Sequence, residues 1–263
     1  MRRTGRAFII AAIAVGSLLS ASGAAGPAAS RDVLYQVSTI NALASGVFEG
    51  AVSIEKVLQH GDIGIGTLEG LDGELIIVDK NPYRITAAGK VLHVEHSVRT
   101  PFAQVTLFDA ERVITLYNIS DLQQFEQLIT NALPLKNIPF AFRIHGRFSY
   151  VKTRSVAKQS KPYPPLIEVT KSQSIFERRD VAGTIVGFRV PHYFQGMSPA
   201  GYHFHFVSDD RRFGGHLLSI AARKLEVAVD ETAEVHFMLP GNDAFQNANL
   251  STDRSAEIIE AEQ

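Results

Sequence analysis

Apolar and polar residues alternate in short runs along most of the chain beyond residue 32. Alternation with a period of two is typical of β-strands, because successive side chains of a strand point to opposite faces of the sheet. On this pattern we predict strands at residues 74–78, 91–94, 100–108, 140–155, 184–190, 202–208, 217–221 and 234–239. These segments predict a sheet-dominated α+β fold with two mixed or antiparallel β-sheet subdomains and few helices.

One segment has the spacing of an amphipathic helix instead. Its apolar residues recur every three or four positions and are Leu122, Phe125, Leu128 and Ile129. Ser120 and Gln123 have the spacing of a capping box, in which two side chains satisfy free backbone groups at a helix N-terminus. We therefore predict a helix that begins at Ser120 and ends before Pro134.

The longest predicted strand carries a charged residue near its end. The apolar residues on one face of this strand are Phe140, Phe142, Ile144, Phe148 and Tyr150. With unbroken pairing Arg154 lies on that same face, which is an unusual position for a charge. A β-bulge would place Arg154 on the opposite face. The sequence leaves both arrangements open.

The first 25 residues are predicted to be a secretory signal peptide. Arg2, Arg3 and Arg6 precede an apolar run at residues 7–19, and small residues follow up to a cleavage position near Ala24 or Ala25. The run is shorter than the roughly 20 residues of a membrane-spanning helix, so a retained anchor is the weaker alternative. We expect a secreted or periplasmic protein with no stable membrane insertion after cleavage.

The mature chain is predicted to contain two β-rich subdomains. Residues 26–32 form a linker that leads into an N-terminal subdomain at residues 33–157. A polar stretch with several prolines at residues 158–165 marks the boundary to a C-terminal subdomain, residues 158–263.

Composition and charge exclude several classes of protein. Cleavage would remove three arginines and no acid, which changes the formal net charge from −1 to −4. A mildly acidic chain without a basic stripe is a poor binder of nucleic acid. The sequence contains no cysteine, which excludes disulfides, thiolate metal sites and cysteine nucleophiles.

Three histidines have a spacing that suits a metal site. His203 and His205 are two residues apart in a predicted strand and so share a face, and a hairpin turn would bring His216 beside them. Three imidazoles suit Zn²⁺ and leave a coordination position open for water or substrate. Taken alone, the pattern also fits a solvated sheet face, or a cupin-like site in which Asp209 or Asp210 supplies a carboxylate.

Several motifs, in order along the chain, resemble those of the alpha-acetolactate decarboxylase family. The segments that carry the resemblance are Gly64-Ile-Gly-Thr-Leu-Glu-Gly-Leu-Asp-Gly-Glu-Leu75, Thr153-Arg-Ser-Val156, Gly201-Tyr-His-Phe-His-Phe206 and Phe213-Gly-Gly-His216. The resemblance extends from about Tyr35 to the C-terminus. Because it rests on separate motifs in the right order, it is more specific than the histidine pair alone.

The resemblance implies a set of site residues. They are His203, His205 and His216 as zinc ligands, Glu74 and Arg154 as the polar catalytic pair, and Thr67 and Arg154 at the substrate. The family also places a glutamate from the C-terminal tail near the metal. Glu262 is the best match, and Glu257 and Glu260 compete with it.

The resemblance also implies an activity. It predicts a homodimeric carboxy-lyase that uses Zn²⁺ to decarboxylate 2-acetolactate to acetoin and CO₂ through a metal-stabilised enediolate. Two other classes stay open from the residues alone. One is a cupin-like oxygenase with a histidine-bound metal, and the other is a non-enzymatic exported sheet protein that binds metal.

Overall fold

The computed structural model of this chain describes residues 31–133 and 137–262. Its strands are β1 Val33–Val37, β2 Val52–Ser53, β3 Ile63–Thr67, β4 Glu74–Val78, β5 Asn81–Ile85, β6 Val91–His93, β7 Arg99–Thr100, β8 Phe102–Thr106, β9 Arg112–Ile119, β10 Phe140–Ser155, β11 Ser174–Val190, β12 Gly201–Ser208, β13 Gly214–Glu231 and β14 Glu234–Met238. Its α-helices are α1 Ile40–Ala44, α2 Ile54–Val57, α3 Leu122–Ala132, α4 Leu166–Thr170, α5 Asp243–Asn247 and α6 Ser255–Glu262. The predicted signal peptide, residues 1–25, lies outside the described residues.

Most strands belong to two large sheets, which confirms the predicted sheet-dominated α+β class. The seven-stranded sheet has the order β14-β1-β8-β3-β4-β5-β6, and it is mixed because β1 runs parallel to β14 and antiparallel to β8. The five-stranded sheet has the order β10-β11-β12-β13-β9 and is antiparallel. Each sheet contains strands that precede residue 158 and strands that follow it. The subdomain boundary predicted at residues 158–165 stays a prediction.

Four strands of the five-stranded sheet close into a ring. β10 pairs with β11 on one side and with β13 on the other, while β12 joins β11 to β13. Phe142, Phe148, Phe204 and Phe206 belong to one buried cluster of this sheet, and helix α3 adds Phe125 to it. Each of these four strands is therefore hydrogen-bonded to a neighbouring strand on both sides, which fixes the direction of its side chains.

A shared apolar layer joins the two sheets. One buried cluster contains Ile65 and Ile76 from the seven-stranded sheet together with Val186, Phe188 and Val207 from the five-stranded sheet. Burying these side chains removes apolar area from water, which is the main favourable term in folding. The two sheets therefore pack face to face with β4 close to β11, β12 and β13.

Several predicted element boundaries are wrong. The strands predicted at residues 184–190 and 217–221 are parts of longer strands, β11 Ser174–Val190 and β13 Gly214–Glu231.

The strand predicted at residues 100–108 is divided at Pro101 into β7 and β8, because proline has no N–H for the ladder. The helix predicted to begin at Ser120 begins at Leu122, with Asp121 as its N-cap. The Asp121 carboxylate accepts a hydrogen bond from the Gln124 N–H at 2.8 Å, so Asp121 and not Ser120 caps this helix.

The apolar stripe predicted for this helix is confirmed. Phe125 and Ile129 are fully buried, and Leu122 and Leu128 pack at the edge of the same cluster. No helix within residues 31–133 and 137–262 is long and apolar enough to cross a membrane.

Candidate active site

Three histidines converge at the junction of β12 and β13. His203 and His205 lie on β12, and His216 on β13 is the Cα partner of His205 across the strand pair. The predicted hairpin return is therefore confirmed. The ring centroids lie 4.9 to 5.4 Å apart, and all three residues are buried. One ring nitrogen of each residue lies within 4.8 Å of the others, which is close enough to bind one metal ion.

The glycines before His216 allow β13 to pass very close to its neighbours. Gly215 has φ +136°, and a Cβ atom there would lie 2.3 Å from the Arg154 carbonyl oxygen. A Cβ atom on Gly214 would lie 2.5 Å from the Phe206 carbonyl oxygen. Any larger residue would push β13 away from β10 or β12. The Gly-Gly-His sequence thus positions His216 against the other two histidines.

All three imidazoles are neutral near neutral pH. Burial lowers the pKa of His203 to about 3, and burial also holds the pKa values of His205 and His216 well below their ordinary value. The nearby Arg154 guanidinium lowers all three further. A neutral imidazole carries the nitrogen lone pair that a metal needs.

A backbone group fixes the orientation of His205. The Nδ1 atom of His205 lies 2.7 Å from the Leu75 carbonyl oxygen, which can only accept a hydrogen bond. This contact places the proton on Nδ1 and the lone pair on Nε2. The buried Nε2 atom has no hydrogen-bond partner among the described residues, and the same is true of Nδ1 of His203. The role of Leu75 cannot be predicted from the side-chain pattern, because the group that contacts His205 is a backbone carbonyl.

Glu74 begins β4 and points toward the histidines. Its Oε2 atom lies 3.5 Å from Nε2 of His205, and its side chain is 9% exposed. The preceding residue, Gly73, has φ +77°, and a Cβ atom there would lie 2.2 Å from the Ile85 carbonyl oxygen. Burial raises the pKa of Glu74 to about 7, although Arg154 opposes the shift. The carboxyl group can therefore hold or release a proton near neutral pH.

Arg154 lies between Glu74 and the end of α6. Its Nη1 donates to Oε1 of Glu74 at 3.4 Å, and its Nη2 donates to the Ala261 carbonyl oxygen at 2.8 Å. Its buried Nε–H has no partner among the described residues. Phe148 and Val151, which are three residues apart on β10, both belong to the buried cluster of the five-stranded sheet, so the alternation of faces breaks before Arg154. Arg154 accordingly contacts the acids of the site.

Thr67 is the Cα partner of Glu74 in the β3–β4 hairpin. Its hydroxyl donates to the Gly73 carbonyl oxygen at 2.7 Å, which stabilises the turn before Glu74. Thr67 lines a small cavity together with Glu74 and Arg154. The hydroxyl oxygen can still accept a hydrogen bond from a bound molecule.

Of the three competing C-terminal acids, Glu262 lies at the histidines. Its Oε2 atom is 3.3 Å from Nε2 of His203 and 3.8 Å from Nδ1 of His216. Burial raises the pKa of Glu262, while Arg154 lowers it. Glu257 instead pairs with a neighbouring arginine of the tail at 2.7 Å, and Glu260 is exposed.

Two cavities meet at the last turn of α6. The smaller one, about 40 Å³, is lined by Thr67, Glu74, Arg154 and the three histidines. It has room for only a few water molecules. The larger one, about 670 Å³, opens on the other side of Glu262 and also reaches His203 and His216. A small organic molecule therefore fits in the larger cavity, against His203 and His216.

The acids of a cupin-like site lie elsewhere. Both carboxylate oxygens of Asp209 are 3.2 Å from Nε2 of His145 on the exposed surface, and Asp210 pairs with Arg178 at 3.4 Å. Neither carboxylate belongs to the group of three histidines. The geometry gives no support to that alternative.

A model of the alpha-acetolactate decarboxylase family matches residues 34–252. The chain belongs to this family. The membership suggested by the sequence motifs is thereby confirmed, and with it the expectation of an enzyme of the carboxy-lyase class. Every residue predicted for the site except Glu262 falls within the matched range.

Relatives in the alpha-acetolactate decarboxylase family cover most of the chain. An alpha-acetolactate decarboxylase of Methanosarcina mazei is 42% identical over 88% of this chain and 80% of the relative. One of Brevibacillus brevis is 38% identical over 91% of this chain and 84% of the relative. The crystal structure of the Bacillus subtilis strain 168 alpha-acetolactate decarboxylase superposes with a TM-score of 0.84 at 37% identity, covering 88% of this chain and 98% of that one.

Proposed function

We propose that this chain is a zinc-dependent enzyme that decarboxylates 2-acetolactate to acetoin and CO₂. The observation that carries the proposal is the group of three buried, neutral histidines beside the Glu74–Arg154 pair. Family membership supports the reaction, since the similar proteins are named alpha-acetolactate decarboxylases. The substrate would be the small molecule 2-acetolactate.

The donor set fits zinc. Three imidazole nitrogens are the preferred ligands of this ion, and a three-histidine set leaves a position open. The Nε2 atom of His205, which has no hydrogen-bond partner among the described residues, supports a missing ligand at this point. When bound, zinc supplies a Lewis acid that stabilises the negative charge developing as CO₂ leaves.

Arg154 and Glu74 would have different roles, the first in binding the substrate and the second in proton transfer. The guanidinium of Arg154 is always charged and presents donors in a fixed plane, so it binds and orients the substrate carboxylate rather than transferring a proton. Loss of CO₂ leaves an enediolate, which needs a proton on carbon. Glu74, with its raised pKa, would hold that proton and donate it from one face, which predicts a single acetoin enantiomer. Thr67 lines the small cavity together with Glu74 and Arg154, and it would contact the substrate there.

The deciding experiment measures metal and product together. The purified mature protein is expected to contain about one zinc per chain and to release CO₂ and acetoin from 2-acetolactate. A chelator should abolish the activity, and added Zn²⁺ should restore it. A fully loaded protein that leaves acetolactate unchanged would contradict the proposal. Consumption of O₂ by an iron-loaded protein would favour an oxygenase instead.

We also propose that the protein is exported and dimeric. The basic and apolar segments at residues 2–19 support a signal peptide cleaved near Ala24 or Ala25. N-terminal sequencing of the secreted or periplasmic protein tests the cleavage. Sedimentation of the mature protein at equilibrium tests the homodimer.

Lysine in place of Arg154 is expected to lower the activity by about 10²- to 10³-fold, the usual cost of removing one charge-stabilising donor. The ammonium group keeps the charge but cannot make the planar contacts to Glu74 and the Ala261 carbonyl oxygen. Steady-state kinetics of Arg154→Lys, with Lys152→Arg on the same strand as the control, measure the effect. Unchanged kinetics would remove Arg154 from the mechanism.

Shortening the chain after Ala261 is expected to lower activity by about 10- to 100-fold with zinc retained, the usual cost of losing a group that supports a metal site. The cut removes the carboxylate that lies beside His203 and His216. Glu262→Gln should reproduce the loss, and Glu260→Gln should not. A loss that begins only in chains ending after Ile259 or Ala256 would shift the role to Glu260 or Glu257. Full activity in the shortest chain would refute a catalytic tail.

A further inference from the structure

Three carboxylates meet at the opposite end of β13 from the histidines. Asp32 immediately precedes β1, Glu111 immediately precedes β9, and Asp230 is the second-to-last residue of β13. One carboxylate oxygen of each residue lies within 4.8 Å of the other two. Because β1 belongs to the seven-stranded sheet and the other two strands to the five-stranded sheet, the group joins the two sheets.

The Asp230 carboxylate is buried, and only one of its two oxygens accepts a hydrogen bond from the described residues. Asp230 is 0% exposed. Its Oδ2 atom accepts a hydrogen bond from the Asp109 N–H at 3.1 Å. Its Oδ1 atom is buried and has no hydrogen-bond partner among the described residues. Leaving a buried carboxylate oxygen without a partner is costly, so this oxygen indicates a missing ligand.

Two nearby arginines contact acids outside the group of three. Arg31 lies 3.7 Å from Asp109, and Arg112 lies 2.8 Å from Glu231. One oxygen of Glu111 accepts the Glu231 N–H at 2.9 Å, which holds this side chain toward the end of β13. The group thus brings two exposed carboxylates, those of Asp32 and Glu111, close to the buried carboxylate of Asp230.

We propose that Asp32, Glu111 and Asp230 bind a divalent cation that prefers oxygen ligands, with Ca²⁺ as the best match. The donors are all carboxylate oxygens, with no imidazole, which suits Ca²⁺ and Mg²⁺ rather than zinc. Asp32 and Glu111 are exposed, so water can complete the shell. Ca²⁺ takes six to eight oxygens in flexible geometry, whereas Mg²⁺ requires a near-ideal octahedron that residues from three separate segments rarely provide. The bound ion would stabilise the contact between the two sheets.

The test uses the full mature protein with zinc present, titrated with CaCl₂ at constant ionic strength. The melting temperature is expected to rise with Ca²⁺ and to saturate, and calorimetry should give a Kd on the order of 10⁻⁴ to 10⁻³ M, the range of extracellular calcium modules. Matched NaCl should produce no such rise, because screening alone does not saturate. No saturable response to Ca²⁺ in the unaltered protein would overturn the proposal, and so would a response only to added Zn²⁺.

Variants assign the response to the three acids. Asp32→Asn is the main variant because the residue is exposed and the fold does not depend on its burial, and Asp230→Asn is the second. Both should lose the rise in melting temperature. Asp209→Asn, an exposed acid elsewhere on the surface, should keep it. Retention of the Ca²⁺ response in Asp32→Asn and Asp230→Asn would refute the site. The proposed decarboxylation is assayed separately, so either proposal can fail without the other.

Discussion

Glutamine in place of Glu74 is expected to lower the rate of acetoin formation by about 10²- to 10⁴-fold, the usual contribution of a general acid. The amide has the shape of the carboxyl group but carries no proton that it can transfer to carbon. Zinc should remain bound, because the three histidine rings are untouched. Initial rates at saturating 2-acetolactate, measured beside metal content, give both quantities.

Glu260→Gln is the matched control for this substitution. Glu260 is an exposed acid on α6, near the site in sequence but turned away from it. Its variant should keep the activity of the unaltered enzyme. If Glu74→Gln forms acetoin at a near-normal rate, Glu74 is not the proton donor, and Glu262 becomes the next carboxyl group to test.

Alanine in place of His205 is expected to abolish both zinc binding and turnover. Removing one of three ligands leaves two nitrogens, fewer than catalytic zinc sites use. The same result is expected at His203 and His216, since each contributes one nitrogen to the group. Elemental analysis of each purified variant, beside the acetoin assay, measures the loss.

His145→Ala serves as the control for the histidine series. His145 lies on β10 in the same sheet, but its side chain is 62% exposed and contacts Asp209. Its loss should leave zinc content and activity intact. Circular dichroism of every variant separates metal loss from unfolding. Full zinc content in all three site variants would contradict the ligand assignment.

The sequence predicted the histidine group because the signal is local. Strand geometry alone puts His203 and His205 on one face, and a short turn at residues 209–213 returns the chain to His216 on β13. The long strand β10 was predicted with its observed bounds, Phe140–Ser155, for the same reason.

Features that depend on distant parts of the chain could not be predicted in this way. The direction of Arg154 depends on a break in the alternation of β10 between Phe148 and Val151, and the residue types there fit either face of the sheet. The choice of Glu262 over Glu257 and Glu260 depends on where α6 packs. The division at Pro101 is readable from the sequence, since proline interrupts a ladder.

The candidate site is assembled from both sheets, with Thr67 and Glu74 on one and the histidines and Arg154 on the other. Neither sheet holds the reactive groups by itself. The rate of acetoin formation would therefore depend on how the two sheets pack against each other. A library of random variants screened for activity would also select for an intact apolar layer. Substitutions at Val186 or Ile65 would be eliminated along with those at the site, although neither residue is among those predicted to act on substrate.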